Sequence, residues 1–228
     1  MQHEALHTTA RGDAGGMLAA GGIILTATLL EILAMAHHPS AGTAAIADAP
    51  RQIAMLSGLA ALVHGVLIGL MLLVAYGLSE FALRRGLRRP LIRAGAIAYG
   101  VGVIAMLGAT LVSGFVIPDL AASTPHVSPL DLEINAELFV LCRVLNQTCA
   151  NFGVVAMSAG IVFWSIDLLR DSGSRRLAGV LGCLVGVVPA FALLCGLLQL
   201  DVHGMTQVTA LQGSWNVAIA VLLMRASL

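Results

Sequence analysis

Six long apolar runs alternate with short polar or small-residue stretches along this chain, at residues 17–36, 53–79, 94–117, 138–168, 177–199 and 205–224. Crossing about 30 Å of hydrocarbon takes roughly 20 helical residues, so each run is long enough to span a bilayer. A backbone in lipid must satisfy its own hydrogen bonds, which makes helix the expected state of each run. The pattern predicts an all-α, polytopic integral membrane protein. Its six transmembrane helices form a single domain over 17–225, preceded by an unstructured polar tail at 1–16.

The fourth run belongs to a longer helical pattern, 128–170. Ser128 suits the N-cap, Pro129 the first helical position, and Asp131 and Glu133 the opening turn, where acids complement the helix dipole. Steps of three or four residues join Glu133, Glu137, Val140, Val144, Gln147, Asn151, Val155 and Ser158, with Arg143 beside the line. A polar stripe is costly in hydrocarbon, so the expectation is that it lines a protein interior or a wet cavity.

Composition agrees. The 228 residues are 58% hydrophobic and 11% charged, against ~25% charged in a soluble domain. The formal net charge of zero gives no electrostatic footprint for nucleic acid, and the partner this surface calls for is the lipid bilayer. The twelve basic residues are all arginine. That usage suits a GC-rich bacterial genome and makes the bacterial inner membrane the expected location.

The arginines also orient the bundle. Arg11, Arg84, Arg85, Arg88, Arg89, Arg93, Arg170, Arg175, Arg176 and Arg225 fall on one side, and only Arg51 and Arg143 lie toward the other. By the positive-inside rule, both termini are expected in the cytoplasm. Ala34-Met35-Ala36 resembles a signal-peptidase site, but Glu31 interrupts the apolar stretch before it, so an uncleaved span is expected.

Two patterns bear on packing. Gly65/Gly69, Ala156/Gly160 and Gly182/Gly186 have the spacing that lets helices approach closely, either within the bundle or in a homodimer. An 87-residue shift lays 53–117 over 138–199, matching His64 with Asn151, Glu80 with Asp167, Gly86 with Gly173 and Gly95 with Gly182. This raises an internal duplication as an expectation.

Intramembrane polar groups are the candidate chemistry. Glu31, His64, Arg143, Gln147, Asn151, Gln212 and Asn216 fall in the outer half or centre of their spans and are the expected cavity or ligand-binding residues. Glu31 and His64 could pair as acid and imidazole, and Arg143 could pair with Asp119, Glu31 or Asp201. A metal held by His64, Glu31 and His203, or a haem on His64, is the weaker expectation, because no HxxxH, ExxH or CxxC spacing occurs. His37-His38 reads as an interfacial loop. Cys142, Cys149, Cys183 and Cys195 read as inert thiols within apolar runs.

No catalytic motif appears. The leading expectation is an outward-facing intramembrane cavity that binds or transports a small polar solute, a proton or a metal ion. Two alternatives stand beside it: a haem- or metal-dependent membrane enzyme or redox subunit, and a non-catalytic assembly subunit acting as a homodimer or with a membrane partner.

Overall fold

Apolar runs of this length have one way to bury their backbone polar groups, and they take it. The computed structural model describes residues 2–38, 53–123 and 129–226, with side chains described over 15–38, 53–123 and 133–226. Its elements are α1 (Gln2–Ala36), α2 (Ser57–Arg85), α3 (Pro90–Leu111), a π-helical segment (Val112–Val116), α4 (Ile117–Ser123), α5 (Pro129–Leu168), α6 (Gly173–Leu194) and α7 (Val202–Met224). Among the described residues six stretches are long and apolar enough to cross a membrane: Gly15–Ala36, Ser57–Arg85, Pro90–Ser123, Glu133–Leu168, Gly173–Leu194 and Val202–Met224. The chain is a polytopic α-helical membrane protein. Its outer surface is that of a protein solvated by lipid, with Ile97, Ile104, Leu177, Leu184 and Phe191 all exposed.

The element boundaries differ from expectation where local chemistry intervenes. Residues 2–16 are helical instead of an unstructured tail, because α1 begins at Gln2. Extending an existing helix adds a hydrogen bond per residue without a second nucleation cost. The third apolar run ends at 117, immediately before Pro118, but the proline does not end the helix. It lies instead inside one continuous helical stretch, Pro90–Ser123, directly after the π-helical turn, the kind of local adjustment by which a membrane helix accommodates a residue without an N–H. The fifth span stops at Leu194, short of Gln199, because Gly196 takes φ 69° and its N–H bonds Leu193 O at 3.0 Å. The sixth starts earlier than expected, at Val202, where the Asp201 side chain accepts from Gly204 N at 2.8 Å. Ser128 and Arg51 lie outside the described residues.

Close packing depends on glycine at one crossing above all. Between α3 and α5, a Cβ at Gly102 would fall 2.8 Å from Gly153 O, and one at Gly160 would fall 2.9 Å from Gly95 O. The two helices therefore meet backbone to backbone at glycines seven apart on each, Gly95 and Gly102 against Gly153 and Gly160, beyond the four-residue spacing of the small-residue pairs. Gly182 and Gly186 pack against α5 as expected, whereas Gly69 has nothing within 4 Å and belongs to the outer surface of α2.

The arginine-bearing end is tied by ions and aromatic rings. Arg85 pairs with Asp167, its Nε donating to Oδ2 at 3.1 Å, and its Nη1 donates to Asp171 Oδ2 at 2.8 Å. Just inside, both tryptophans of the chain stack, with ring centroids 5.9 Å apart and planes 7° apart. Phe81 stands edge-on to Trp164 at 5.9 Å and to Trp215 at 6.2 Å. The Trp164 indole N–H donates to Ile92 O at 3.0 Å, so its polar edge is satisfied in a dry core.

The 87-residue correspondence meets mixed geometry. Gly86 and Gly173 both take positive φ, and Gly95 and Gly182 both lie against an indole ring. His64 is buried while Asn151 is exposed. Glu80 pairs with Arg84, four residues on, whereas Asp167 is buried against Arg85 and Arg89.

Candidate functional site

Two adjoining cavities run inward from the end of the bundle opposite the arginines. The outer one, of about 260 Å³, is lined by residues that include Met35, His38, His64, Thr110, Ser113, Asn146 and Asp201. The inner one, of about 50 Å³, lies among α1, α2, α3, α5 and α7, and its lining includes Glu31, Tyr99, Gln212 and Asn216. Met106 and Met205 line both. They form the partition, one thioether from α3 and one from α7.

His64 is 6% exposed, and its ring is held from both sides. Nδ1 lies 2.7 Å from Ala60 O. A carbonyl can only accept, so Nδ1 carries the hydrogen and Nε2 presents its lone pair. That lone pair meets His38 Nε2 at 3.3 Å, with the rings edge-on at 83° and centroids 4.8 Å apart. The backbone makes room for this pair. In the π-helical segment, Gly114 packs directly on His64, and a Cβ there would collide with the imidazole. Such bulges inside α-helices occur often at functional sites.

The inner cavity carries a different chemistry. Gln212 Nε2 donates to Ser158 Oγ at 3.0 Å, joining α7 to α5 across the bundle. Asn216, one turn further in, is 5% exposed, and its Oδ1 is a buried acceptor with no hydrogen-bond partner among the described residues. Buried acceptors are nearly always satisfied, so this one is available to something the cavity holds. Four methionines, Met71, Met106, Met157 and Met205, complete the apolar part of the wall.

The expected residues therefore divide into three groups. Glu31, Gln212 and Asn216 converge on the inner cavity, and His64 stands in the outer one. Arg143, Gln147 and Asn151 do not join them. All three are exposed on the outside of α5, where Gln147 Nε2 donates to Asn151 Oδ1 at 2.9 Å. Among the described residues Arg143 forms no ion pair with Asp119, Glu31 or Asp201. The face of α5 that does meet the cavities carries Asn146, Ala150, Val154 and Met157.

The expected acid–imidazole pair is also rearranged. Glu31 and His64 share no cavity, and the partner of His64 is His38, a residue read from the sequence as loop. The signal was present: a histidine pair immediately follows the first span, at the same end as His64. His203 is exposed and lines neither cavity. Among the described residues no group of three His, Cys, Asp or Glu side chains is placed to hold a metal ion, so His64, Glu31 and His203 do not form a ligand set. A porphyrin does not fit either, because both cavities are smaller than the ~300 Å³ at which sites for drug-sized ligands begin. All four cysteines are free, and Cys195 is exposed at the end of α6 instead of being buried.

Fold and cavities together define the class, a six-span helical membrane protein with polar side chains gathered inside one half of its bundle. Compared with protein-family models, curated proteins and solved structures, the chain matches none.

Proposed function

We propose that this protein binds, and conducts inward, a small cation or polar solute taken from the side of a bacterial inner membrane opposite its cytoplasmic termini. The observation that carries this reading is the pair of cavities divided by Met106 and Met205, with imidazoles at the mouth and a carboxyl and two amides beyond. Polar groups on α1, α2 and α7 turned toward one interior are costly in lipid unless they serve a ligand or one another. The cavity volumes suit water, ions and small solutes. The cytoplasmic orientation rests on the positive-inside rule, which the clustering of arginines at the end tied by Arg85 and Asp167 supports.

The test is access. In a cysteine-free background, Ser113→Cys reports the outer cavity and Thr209→Cys the inner one. A charged, membrane-impermeant thiosulfonate should modify Ser113→Cys rapidly from outside intact cells and Thr209→Cys about tenfold more slowly. If neither thiol reacts from that side, the cavities are closed packing defects and this reading fails.

A second reading, that of an assembly subunit, is favoured by the outward stripe of Arg143, Gln147 and Asn151. Amide side chains carry both donor and acceptor, so a second copy related by a twofold axis could satisfy them in kind.

A further inference from the structure

We infer that His38 and His64, together with methionine thioethers of the outer cavity, form a binding site for monovalent copper. The inference deepens the cavity reading above by naming the ligand that its mouth is built to take.

Three features point to an ion. First, the spacing fits. Two imidazole nitrogens each 2.0–2.1 Å from one tetrahedral ion stand about 3.3–3.4 Å apart. The two Nε2 atoms are 3.3 Å apart. Second, the ring is oriented as a ligand. A metal-bound histidine nearly always donates its other N–H to a carboxylate, carbonyl or water, which fixes its tautomer, and His64 donates Nδ1–H to Ala60 O at 2.7 Å. Third, the backbone is shaped around the ring. The π-helical turn brings Gly114 against His64, and only a residue without a Cβ leaves the imidazole there.

The remaining donors select which ion. Zinc or iron would complete its coordination with carboxylate, thiolate or further imidazole. Among the described residues no third His, Cys, Asp or Glu is gathered with this pair. The carboxylate in this cavity's wall, Asp201, is engaged as the cap of α7, accepting from Gly204 N at 2.8 Å, and what the wall offers besides is sulfur, from Met35, Met106 and Met205. Thioethers are soft ligands and favour Cu(I) over hard or borderline dications. Five of the chain's nine methionines line the two cavities, and two of those five are shared. The soft wall thus continues past the histidines into the inner chamber, and it offers an ion a path from one set of thioethers to the next.

Binding needs no net release of protons. In the metal-free pair, His38 Nε2–H donates to the lone pair on His64 Nε2. The ion takes the place of that hydrogen, and the His38 proton moves to its own Nδ1. Both rings stay neutral, and both Nε2 lone pairs face the metal.

The experiment titrates the purified, full-length chain in detergent with Cu(I) under ascorbate, against a chromogenic Cu(I) chelator. The four cysteines are first replaced by serine so that thiolates contribute nothing. The expected result is one Cu(I) per chain, with nitrogen and sulfur together in the X-ray absorption first shell. His38→Ala and His64→Ala should each weaken binding at least tenfold. Met35→Leu, Met106→Leu and Met205→Leu together should strip sulfur from the shell while leaving the protein folded, since Met-to-Leu exchange nearly conserves volume. Should His64→Ala fail to fold, His38→Ala, beyond the end of α1, and the wild-type absorption spectrum still decide. Absence of stoichiometric Cu(I), binding that survives both histidine substitutions, or a shell without sulfur overturns the proposal. Thiol access at Thr209→Cys without copper binding would remove the copper site and leave the cavity reading standing, whereas loss of access removes both.

Discussion

Arg85 and Asp167, 82 residues apart in the chain, form a buried ion pair that joins the end of α2 to the end of α5. Arg85 and Asp167 are 7% and 2% exposed, so neither charge has water to fall back on. Arg89 adds a contact to Asp167 at 3.2 Å, and Asp171 holds the other arm of Arg85 at 2.8 Å. One buried carboxylate thus serves two guanidiniums, which makes it the weak point of this end of the bundle.

Removing Asp167 leaves Arg85 buried with half its partners. Breaking a buried pair costs about 3–5 kcal/mol. Asp171 remains 2.8 Å away, so Asp167→Ala should fall at the lower end of that range. Arg85→Leu with Asp167→Leu should cost less than the sum of the two single changes, because neither buried charge is left without the other, and Asp171 and Arg89 both reach water. Reversible unfolding in micelles, run as a double-mutant cycle, measures this. Simple additivity would contradict the pair's role.

The α3–α5 crossing should tolerate no side chain at its glycines. A Cβ at Gly102 would lie 2.6 Å from Met157 N, a backbone atom that cannot swing away. Gly102→Ala should cost about 1–3 kcal/mol, as overpacking does. Gly100, on the same helix, has nothing within 4 Å, and Gly100→Ala should change stability by less than about 0.5 kcal/mol. Equal effects at both positions would count against the close crossing.

Orientation can be read from thiols already in place. Cys195 is exposed at the end of α6, away from the arginines. A membrane-impermeant maleimide should label it from outside intact cells. Ser172→Cys, in the turn at the arginine-rich end, should react only after the membrane is opened. The reverse pattern would invert the topology and place the cavity mouth in the cytoplasm.

The outward stripe on α5 predicts self-association. Gln147 and Asn151 satisfy part of each other's hydrogen-bonding capacity at 2.9 Å, and the rest faces outward. Interhelical polar contacts in membranes contribute about 0.6–2 kcal/mol each. Replacing both by leucine should therefore weaken dimerisation roughly 10-fold or more, read by energy transfer between labelled copies in liposomes. An unchanged or monomeric signal in the parent protein would leave the stripe without this role.

Several features were legible in the sequence alone, each for a physical reason. Hydrocarbon thickness sets span length, so six apolar runs became six crossing helices. Polar groups are costly in lipid, so Glu31, His64, Gln212 and Asn216 were legible as interior residues. The face of each helix was not. In water an apolar stripe marks the buried side, but a membrane helix is apolar all round, and the pattern then carries little about which side meets its neighbours. That is why Arg143, Gln147 and Asn151 looked like one wall of a cavity and instead face outward. The partner of His64 was hidden for a related reason. His38 lies 26 residues earlier, beyond the end of another helix, and only the packing of α1 against α2, with Gly114 admitting the ring, brings the two imidazoles together.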